Sequence, residues 1–334
     1  MLQLARGKAQ TKESAQITTW PLYIILIISF LLYILYQQVQ TLAILFGTLT
    51  FIIILIIIIL EVIISSKEQG KLKNAIEIVV AIIIVIGIWL GLRFILNTPY
   101  PIDAVPSCSM LPALQRGDMI ILQGVKPSGI KANVVDVTGA EMQNMLNNIA
   151  NESLECIAYK ITGNTANISQ QVRPGYSIGL FKESNNGGSI VPNSSQAGNL
   201  VKYQCGIANV TYSNGTKIKE AYTKAIIIGN TIISGDLNNS IIVYKTEPQD
   251  LFYKEGDTYV VHRAYAIINA SGNYYYLTKG DNNPGLDIQY QNYPASQKDI
   301  EGKVIAAIPY IGYLKLILSG TLSQPAGCNY TFSS

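Results

Sequence analysis

The chain contains a single histidine, His262, and histidine is the side chain best suited to proton transfer near neutral pH. It lies in the apolar segment TYVVHRAYAI, where a lone histidine is more often a core residue than a functional one. Two other segments change this interpretation, because AVPSCSMLPALQRGD places Ser109 between two prolines and LTKGDNNPGLD carries Asp281 and Asp287. A serine nucleophile needs a base to accept its proton, and the base needs a carboxylate to orient it. These residue types are those of a serine hydrolase.

Two other side chains offer alternatives for the same chemistry. Cys108 directly precedes Ser109 and could itself be the nucleophile of a Cys108–His262 membrane peptidase, because a thiolate needs less activation than a hydroxyl. The other interpretation of Cys108 is a small side chain under the turn. Lys279 would be the base if cleavage at alkaline pH survived the loss of His262. A non-catalytic, glycosylated surface or accessory subunit on the same fold is the alternative from a different functional class.

The first 96 residues predict a membrane anchor. Apolar residues make up 49% of the chain and charged residues only 13%, which excludes a fully soluble protein. Apolar runs at 20–36, 42–64 and 75–96 approach the roughly 20 residues that a helix needs to cross a bilayer. Three Lys/Arg precede the first run and three precede the third, whereas none lies between the first and the second. We therefore expect three transmembrane helices with the N-terminus cytoplasmic and the rest of the chain outside.

The sequons and the cysteines agree with this orientation. All eight Asn-x-Ser/Thr sequons and all four cysteines follow the third apolar run, as expected of an extracytoplasmic region. A disulfide between Cys156 and Cys205 is our expectation, although spacing alone leaves the connectivity open. The candidate glycosylation sites are Asn151, Asn167, Asn193, Asn209, Asn214, Asn238, Asn269 and Asn329.

The outer region predicts a mostly β domain. Short β-branched runs separated by Gly, Asn and Pro predict strands at 119–122, 225–229, 240–245, 258–268, 273–279 and 303–308. We expect a β-rich catalytic domain built from 97–124 and 236–320, followed by a C-terminal tail at 321–334. The segment 125–235 is polar and holds five sequons, which favours a large glycosylated insertion or accessory lobe, with a short helix at 138–150.

Charge excludes one class of partner. Residues 97–334 carry 17 Lys/Arg and 17 Asp/Glu without a basic cluster, so nucleic-acid binding is not expected. No cofactor or metal is expected either. The apolar, Tyr-rich stretch 308–318 is too short for a further span, and we expect it either on the lipid surface or in the core.

Four ordered segments resemble one family. PSCSMLPALQRGD, GDLNNSIIVYK, VVHRAYAI and LTKGDNNPGLD resemble type I signal peptidases, the membrane-anchored serine peptidases that remove signal peptides from exported proteins. The similarity is to the archaeal and endoplasmic-reticulum branch, because His262 stands where the bacterial branch has a lysine. The separation of 153 residues between Ser109 and His262 is larger than in this family, and the insertion at 125–235 accounts for it.

The resemblance implies a role for each site residue. Ser109 would be the nucleophile and His262 the general base, with Asp287 orienting the imidazole and Asp281 as the supporting acid. The hydroxyl of Ser107 would join the backbone N–H of Ser109 in the oxyanion hole. The fold implied is the signal-peptidase-like β fold.

The resemblance also implies the substrate and the surroundings. An extended signal peptide of an exported preprotein would lie along 101–107, and Ala104 and Val105 are our candidates for lining its small-residue pockets. Further expected partners are the lipid bilayer and the protein translocation machinery. We expect a multi-pass protein of an archaeal plasma membrane.

Overall fold

The structure is a computed structural model. It describes residues 19–36, 39–68, 71–152, 154–163, 165–169, 180–182, 189–191, 200–321, 325 and 327–333. The chain divides into two compact units, Met1–Gly87 and Ile88–Ser334. The α-helices are α1 (Trp20–Leu35), α2 (Gln40–Glu68), α3 (Lys71–Ile95), α4 (Gly139–Asn148), α5 (Leu251–Glu255) and α6 (Tyr313–Leu318).

In the described residues the first unit contains α1, α2 and the first part of α3, which are apolar helices at the predicted positions. The Thr41–Glu61 part of α2 is long and apolar enough to cross a membrane, whereas the apolar stretches Trp20–Leu35 and Val79–Ile95 are shorter. Most large apolar side chains on α1 and α2 are exposed, which is unfavourable in water and expected against lipid. Polar contacts between α1 and α2 are few, and one joins the hydroxyls of Thr50 and Ser29 at 3.0 Å. The three-span anchor and its orientation stay predictions.

The second unit is built mainly of strands. In the described part of the chain they are β1 (Ile102–Ala104), β2 (Met119–Gln123), β3 (Asn133–Val137), β4 (Tyr159–Thr162), β5 (Thr165–Ile168), β6 (Leu180–Lys182), β7 (Ser189–Val191), β8 (Val201–Tyr212), β9 (Lys217–Ile228), β10 (Thr231–Ser234), β11 (Ile241–Lys245), β12 (Tyr259–Ala270), β13 (Asn273–Lys279), β14 (Ala295–Ser296), β15 (Ile300–Ile308) and β16 (Tyr330–Ser333). The runs of β-branched residues that predicted strands lie in β2, β9, β11, β12, β13 and β15.

These strands form two main sheets. The first has the order β1-β2-β15-β11-β12-β13-β14, and β3 pairs in parallel with the second half of β12. The second has the order β16-β8-β9-β4-β5, with β10 paired to β9. A separate pair joins β6 and β7. Apart from β3 with β12, the described pairings are antiparallel, as expected of strands joined by short turns.

Strand β12 lies between two parts of the core. Val260, Ala264 and Ile267 pack on one side with Ile242 of β11, whereas Ala266, Ile268 and Ala270 join the core of the second sheet. Burial on both faces explains why the run VVHRAYAII is almost continuously apolar instead of alternating. The central strand therefore fixes its side chains against both sheets.

The boundaries of the predicted insertion and tail differ from the structure. Strand β3 belongs to 125–235, yet it pairs with β12 of the first sheet and contributes Val135 to the shared core. Strand β16 belongs to 321–334, yet it pairs with β8 of the second sheet. Described residues of β3, β4, β8 and β9, all within 125–235, share one core with β12 and β13. The division of the chain into a catalytic domain, an insertion and a tail stays a prediction.

Two short segments follow the sequence expectations in part. Helix α4 lies within the predicted 138–150 and begins with a capping box between Thr138 and Glu141. The stretch 308–318 ends in α6, where Tyr313 is buried and Leu318 is exposed.

Candidate active site

Ser109 lies in a turn that follows the edge strand β1. The turn has no strand partner of its own. It is held by the side chain of Met110, which is 1% exposed and packs in the core with Leu114. The backbone also contributes, since the N–H of Leu114 donates to Met110 O at 3.0 Å. This packing leaves Ser109 half-buried, with its hydroxyl toward β12.

His262 lies on β12 opposite Ile242 of β11 and is 3% exposed. Its Nε2 is 3.0 Å from Ser109 Oγ, and its Nδ1 is 2.7 Å from Asp287 Oδ2. The ring of Phe252 meets the imidazole edge-on, with 5.9 Å between the ring centroids. With its proton on Nδ1, the imidazole donates to Asp287 and presents a lone pair to the hydroxyl of Ser109.

Asp287 begins a 3₁₀ helix, Asp287–Tyr290, and is 1% exposed. Its Oδ2 accepts from His262 Nδ1, from Thr278 Oγ1 at 2.6 Å and from the Tyr244 hydroxyl at 3.0 Å. Burial, followed by the charge of Asp287, raises the pKa of Tyr244 well above its usual value of 10, so the phenol keeps the proton that it donates. Three donors therefore converge on one oxygen of the carboxylate and fix its position beside the imidazole.

Thr278 and Tyr244 were missed by the sequence analysis. Both lie on apolar strands, β13 and β11, where a Thr and a Tyr are ordinary residues. Only the order of strands in the sheet brings them to one carboxylate oxygen. No spacing along the chain carries that information.

Asp281 does not contact His262. It forms a two-point ion pair with Arg263, at 2.8 Å from Nε and 2.6 Å from Nη2. Arg263 also donates from Nη1 to Leu237 O and Asn239 O, both at 2.6 Å. Successive residues of a strand point to opposite faces, so Asp281 meets Arg263, the neighbour of His262. The role of Asp281 as the supporting acid stays a prediction.

Ser107, the candidate for the oxyanion hole, lies on the segment 101–107 together with Ala104 and Val105, the candidates for the substrate pockets. The hydroxyl of Ser107 is 3.2 Å from Ser109 Oγ, within reach of an oxygen bound at the serine. Val105 is 1% exposed and packs in the core with Met110, and Ala104 is 7% exposed. Neither apolar side chain offers an open surface, so the prediction that Ala104 and Val105 line substrate pockets does not fit this structure.

Cys108 has no thiol in this structure. It forms a disulfide with Cys328, with an S–S distance of 1.95 Å. The alternative of a Cys108–His262 peptidase is therefore wrong, because a disulfide sulfur is not a thiolate nucleophile. A second disulfide joins Cys156 and Cys205, the pairing expected from the sequence.

The described contacts of Lys279 are with residues other than the nucleophile. Its Nζ donates to Gly280 O at 3.2 Å and lies 5.8 Å from the centre of the Phe332 ring. It lines a cavity of about 240 Å³ together with Arg263 and Asp281. Burial lowers the pKa of Lys279 to about 8, although the charges of Asp281 and Asp287 act to raise it. No described hydrogen bond joins it to His262 or Ser109, so the geometry favours His262 as the base.

The candidate glycosylation sites differ in exposure. The exposed ones are Asn167, Asn209, Asn214, Asn238 and Asn329. Asn269 is half-buried and its Nδ2 donates to Asp136 Oδ1 at 2.6 Å. The side chain of Asn151 and the whole of Asn193 lie outside the described residues. Within the ranges that the structure describes, no cluster of three or more His, Cys, Asp or Glu could hold a metal ion.

Comparison with known proteins gives three curated relatives, all named signal peptidase complex catalytic subunit SEC11. The protein of Verticillium alfalfae is 39% identical over 70 residues, which is 20% of this chain and 40% of the relative. The protein of Colletotrichum graminicola is 42% identical over 65 residues, 18% and 37% of the two chains. The protein of Pyricularia oryzae is 36% identical over 83 residues, 24% and 44% of the two chains.

This chain resembles signal peptidase catalytic subunits. The relatives confirm the resemblance to type I signal peptidases that the four motifs indicated. The chain matches less than half the length of each relative. No protein-family model and no solved structure matches it. All three relatives are fungal, so an archaeal plasma membrane stays a prediction.

Proposed function

We propose that this chain is a membrane-anchored serine endopeptidase that removes N-terminal signal peptides from exported preproteins. Two hydrogen bonds of His262 are the main support: Nε2 lies 3.0 Å from Ser109 Oγ, and Nδ1 lies 2.7 Å from Asp287 Oδ2. The similarity to SEC11 catalytic subunits supports the choice of signal peptides as substrates.

The proposed reaction uses these groups in order. Ser109 Oγ attacks the scissile carbonyl carbon while His262 Nε2 takes the hydroxyl proton. Asp287 stabilises the imidazolium that results, and His262 then gives the proton to the leaving amine. A water molecule repeats the steps on the acyl-enzyme, releases the signal peptide as a free acid and restores the serine.

The developing oxyanion needs donors that are already in place. The Ser107 hydroxyl and the backbone N–H of Ser109 are the proposed donors. The 3.2 Å between the two serine oxygens supports this role for Ser107. Loss of one such donor typically costs about 10²–10³ in kcat.

The edge strand β1 is the proposed binding site for the cleavage region. In the described part of the chain β1 pairs only with β2, so half of its backbone groups point away from the sheet. An extended peptide can add to such an edge by backbone hydrogen bonds. Only 13 residues separate Ser109 from Ile95, the last residue of α3, and they span at most about 45 Å. If α3 spans the bilayer, Ser109 stays near the membrane face.

Cleavage of a secretory preprotein by the detergent-solubilised full chain tests the proposal. We expect one cut after the signal peptide with the unmodified chain and none with Ser109→Ala, because the alanine has no nucleophilic oxygen. Ser213→Ala, an exposed serine in the turn between β8 and β9, is the matched control and should cleave normally. Cleavage by Ser109→Ala at the normal rate would refute the assignment of the nucleophile.

A further inference from the structure

The C-terminal segment of this chain is covalently bonded to the residue before the candidate nucleophile. The Cys108–Cys328 disulfide joins residues 220 positions apart. Beyond Cys328 the chain forms β16, which pairs with β8 of the second sheet and buries Phe332 beside Val210. The end of the chain is thus attached both to the sheet and to the Ser109 turn.

Asn282 supplies a second connection between the same two segments. It is 1% exposed, and its Nδ2 donates to Gly327 O at 3.3 Å and Tyr330 O at 3.1 Å. Its Oδ1 accepts from the N–H of Phe332 at 2.7 Å. Its own N–H donates to the carbonyl oxygen of Ser109 at 2.7 Å. One buried amide residue therefore joins three positions of the C-terminal segment to the nucleophile's backbone.

Arg116 gives a third connection, on the other side of the turn. Its Nε donates to Pro106 O at 3.0 Å and its Nη2 to Thr321 O at 2.7 Å. Arg116 thus links the carbonyl of Pro106 to that of Thr321, while the sulfur of Cys108 is bonded directly to Cys328. These contacts flank Ser107 and Ser109.

We propose that residues 327–333 are a strap that holds the Ser109 turn in register with His262, and that Cys328 and Asn282 are positioning residues for cleavage. The turn has no strand partner, so contacts of this kind fix the 3.0 Å between Ser109 Oγ and His262 Nε2. A displacement of 1 Å at a reacting group can cost about 10² in rate. The inference rests on the proposed function, because the rate concerned is that of Ser109.

Removal of the disulfide in the full chain tests the strap. We expect Cys108→Ala/Cys328→Ala to lower kcat at least tenfold and to leave KM within twofold, because the substrate edge is intact while the nucleophile is displaced. Lys217→Ala, at an exposed residue on β9 outside the strap, keeps the disulfide; it is the control and should behave like the unmodified chain. An unchanged kcat in the folded double variant would overturn the proposal.

Reduction of the unmodified chain covers the case in which the double variant does not fold. Cys328 is half-buried, whereas Cys156 and Cys205 are almost fully buried, so dithiothreitol reaches Cys328 first. The reagent reduces the disulfide to two thiols and becomes a cyclic disulfide itself. We expect kcat to fall on mild reduction and to recover on reoxidation, with KM unchanged. No loss of kcat after complete reduction of this disulfide would also overturn the strap.

A measurement on His262 separates failure of the strap from failure of the proposed function. Because the chain has one histidine, ¹⁵N-labelled histidine gives one Nε2 signal, whose shift reports the hydrogen bond from Ser109. We expect this shift to change on reduction even if no preprotein is cleaved. A shift that stays the same after reduction would show that the strap does not position the serine, whatever the substrate is.

Discussion

At the scale of single residues, the carboxylate of Asp287 is the group on which the imidazole depends. It is buried, and a single oxygen accepts from His262, Thr278 and Tyr244, whereas Oδ1 has no hydrogen-bond partner in the described part of the chain. Such an arrangement holds the imidazole in one tautomer and orientation.

We expect Asp287→Asn to lower kcat about 10³–10⁴-fold, because a neutral amide deprives the imidazolium of its counter-charge. Asp281→Asn should cost less, because its partner is Arg263. Steady-state kinetics of both variants on one preprotein measure the two losses of kcat. Equal losses would contradict the assignment of Asp287 as the orienting acid.

Lys279 should make the free energy of unfolding increase with pH. Its folded pKa of about 8 lies below the usual value for lysine, so between these values the unfolded chain binds more protons. The free energy of unfolding should therefore rise with pH from about 8 to about 10. We expect Lys279→Met to be more stable than the parent at pH 7, by about 1–3 kcal/mol, and to lose this rise.

Denaturant unfolding between pH 7 and pH 10 measures the effect of Lys279. Lys217→Met, at an exposed lysine of β9, is the control and should keep the parent's rise. A parent whose stability is flat over this range would contradict the lowered pKa.

At the scale of elements, the loop between β13 and the 3₁₀ helix at Asp287 carries much of the site. It supplies Asp287, the ion pair of Asp281, and the N–H that Asn282 donates to Ser109. Gly280 opens this loop at a point of close approach, because a Cβ there would lie 2.7 Å from Ser109 O. A backbone carbonyl in a packed turn has little room to yield.

We expect Gly280→Ala to displace the Ser109 turn and to lower kcat about tenfold to a hundredfold, with a smaller effect on KM. Gly139→Ala is the matched control, since a Cβ at this first residue of α4 meets nothing within 4 Å. The two variants are compared by kinetics and by thermal unfolding. Normal kcat in Gly280→Ala would show that the turn accommodates the methyl group without moving the serine.

At the scale of the whole molecule, the region from Ile88 to Ser334 forms a single compact unit in which both sheets share a core. Its surface carries the exposed sequons, which become acceptors only if this unit reaches the compartment of the glycosyltransferases. Sequon occupancy therefore reports the orientation that the Lys/Arg distribution predicts.

In a host that glycosylates Asn-x-Ser/Thr, we expect glycans at the exposed sequons and none at Asn269, whose amide nitrogen is bonded to Asp136. Peptide mapping by mass spectrometry after enzymatic deglycosylation gives the occupancy. Asn-to-Gln variants at Asn209 and Asn214 serve as controls for the assignment. An unglycosylated chain in a competent host would contradict an outer location for this unit.

The sequence by itself determined which groups can react and where regular elements form. One histidine, a serine between prolines and two acids after a β-branched run are local features, and so are the apolar runs that became α1, α2 and α3. The positions of β2, β9, β11, β12, β13 and β15 followed in whole or in part from β-branched runs, since side-chain burial on a strand is set by residues close in sequence.

Only the tertiary structure decided which of these groups meet. Asp287 and not Asp281 faces His262, Cys108 is paired with Cys328, Val105 is buried, and strands β3, β8 and β9 share a core with β12. Each of these facts depends on chain segments many residues apart and on the order of strands in a sheet. Periodicity and spacing report only neighbours along the chain, so they carry no information about such pairings.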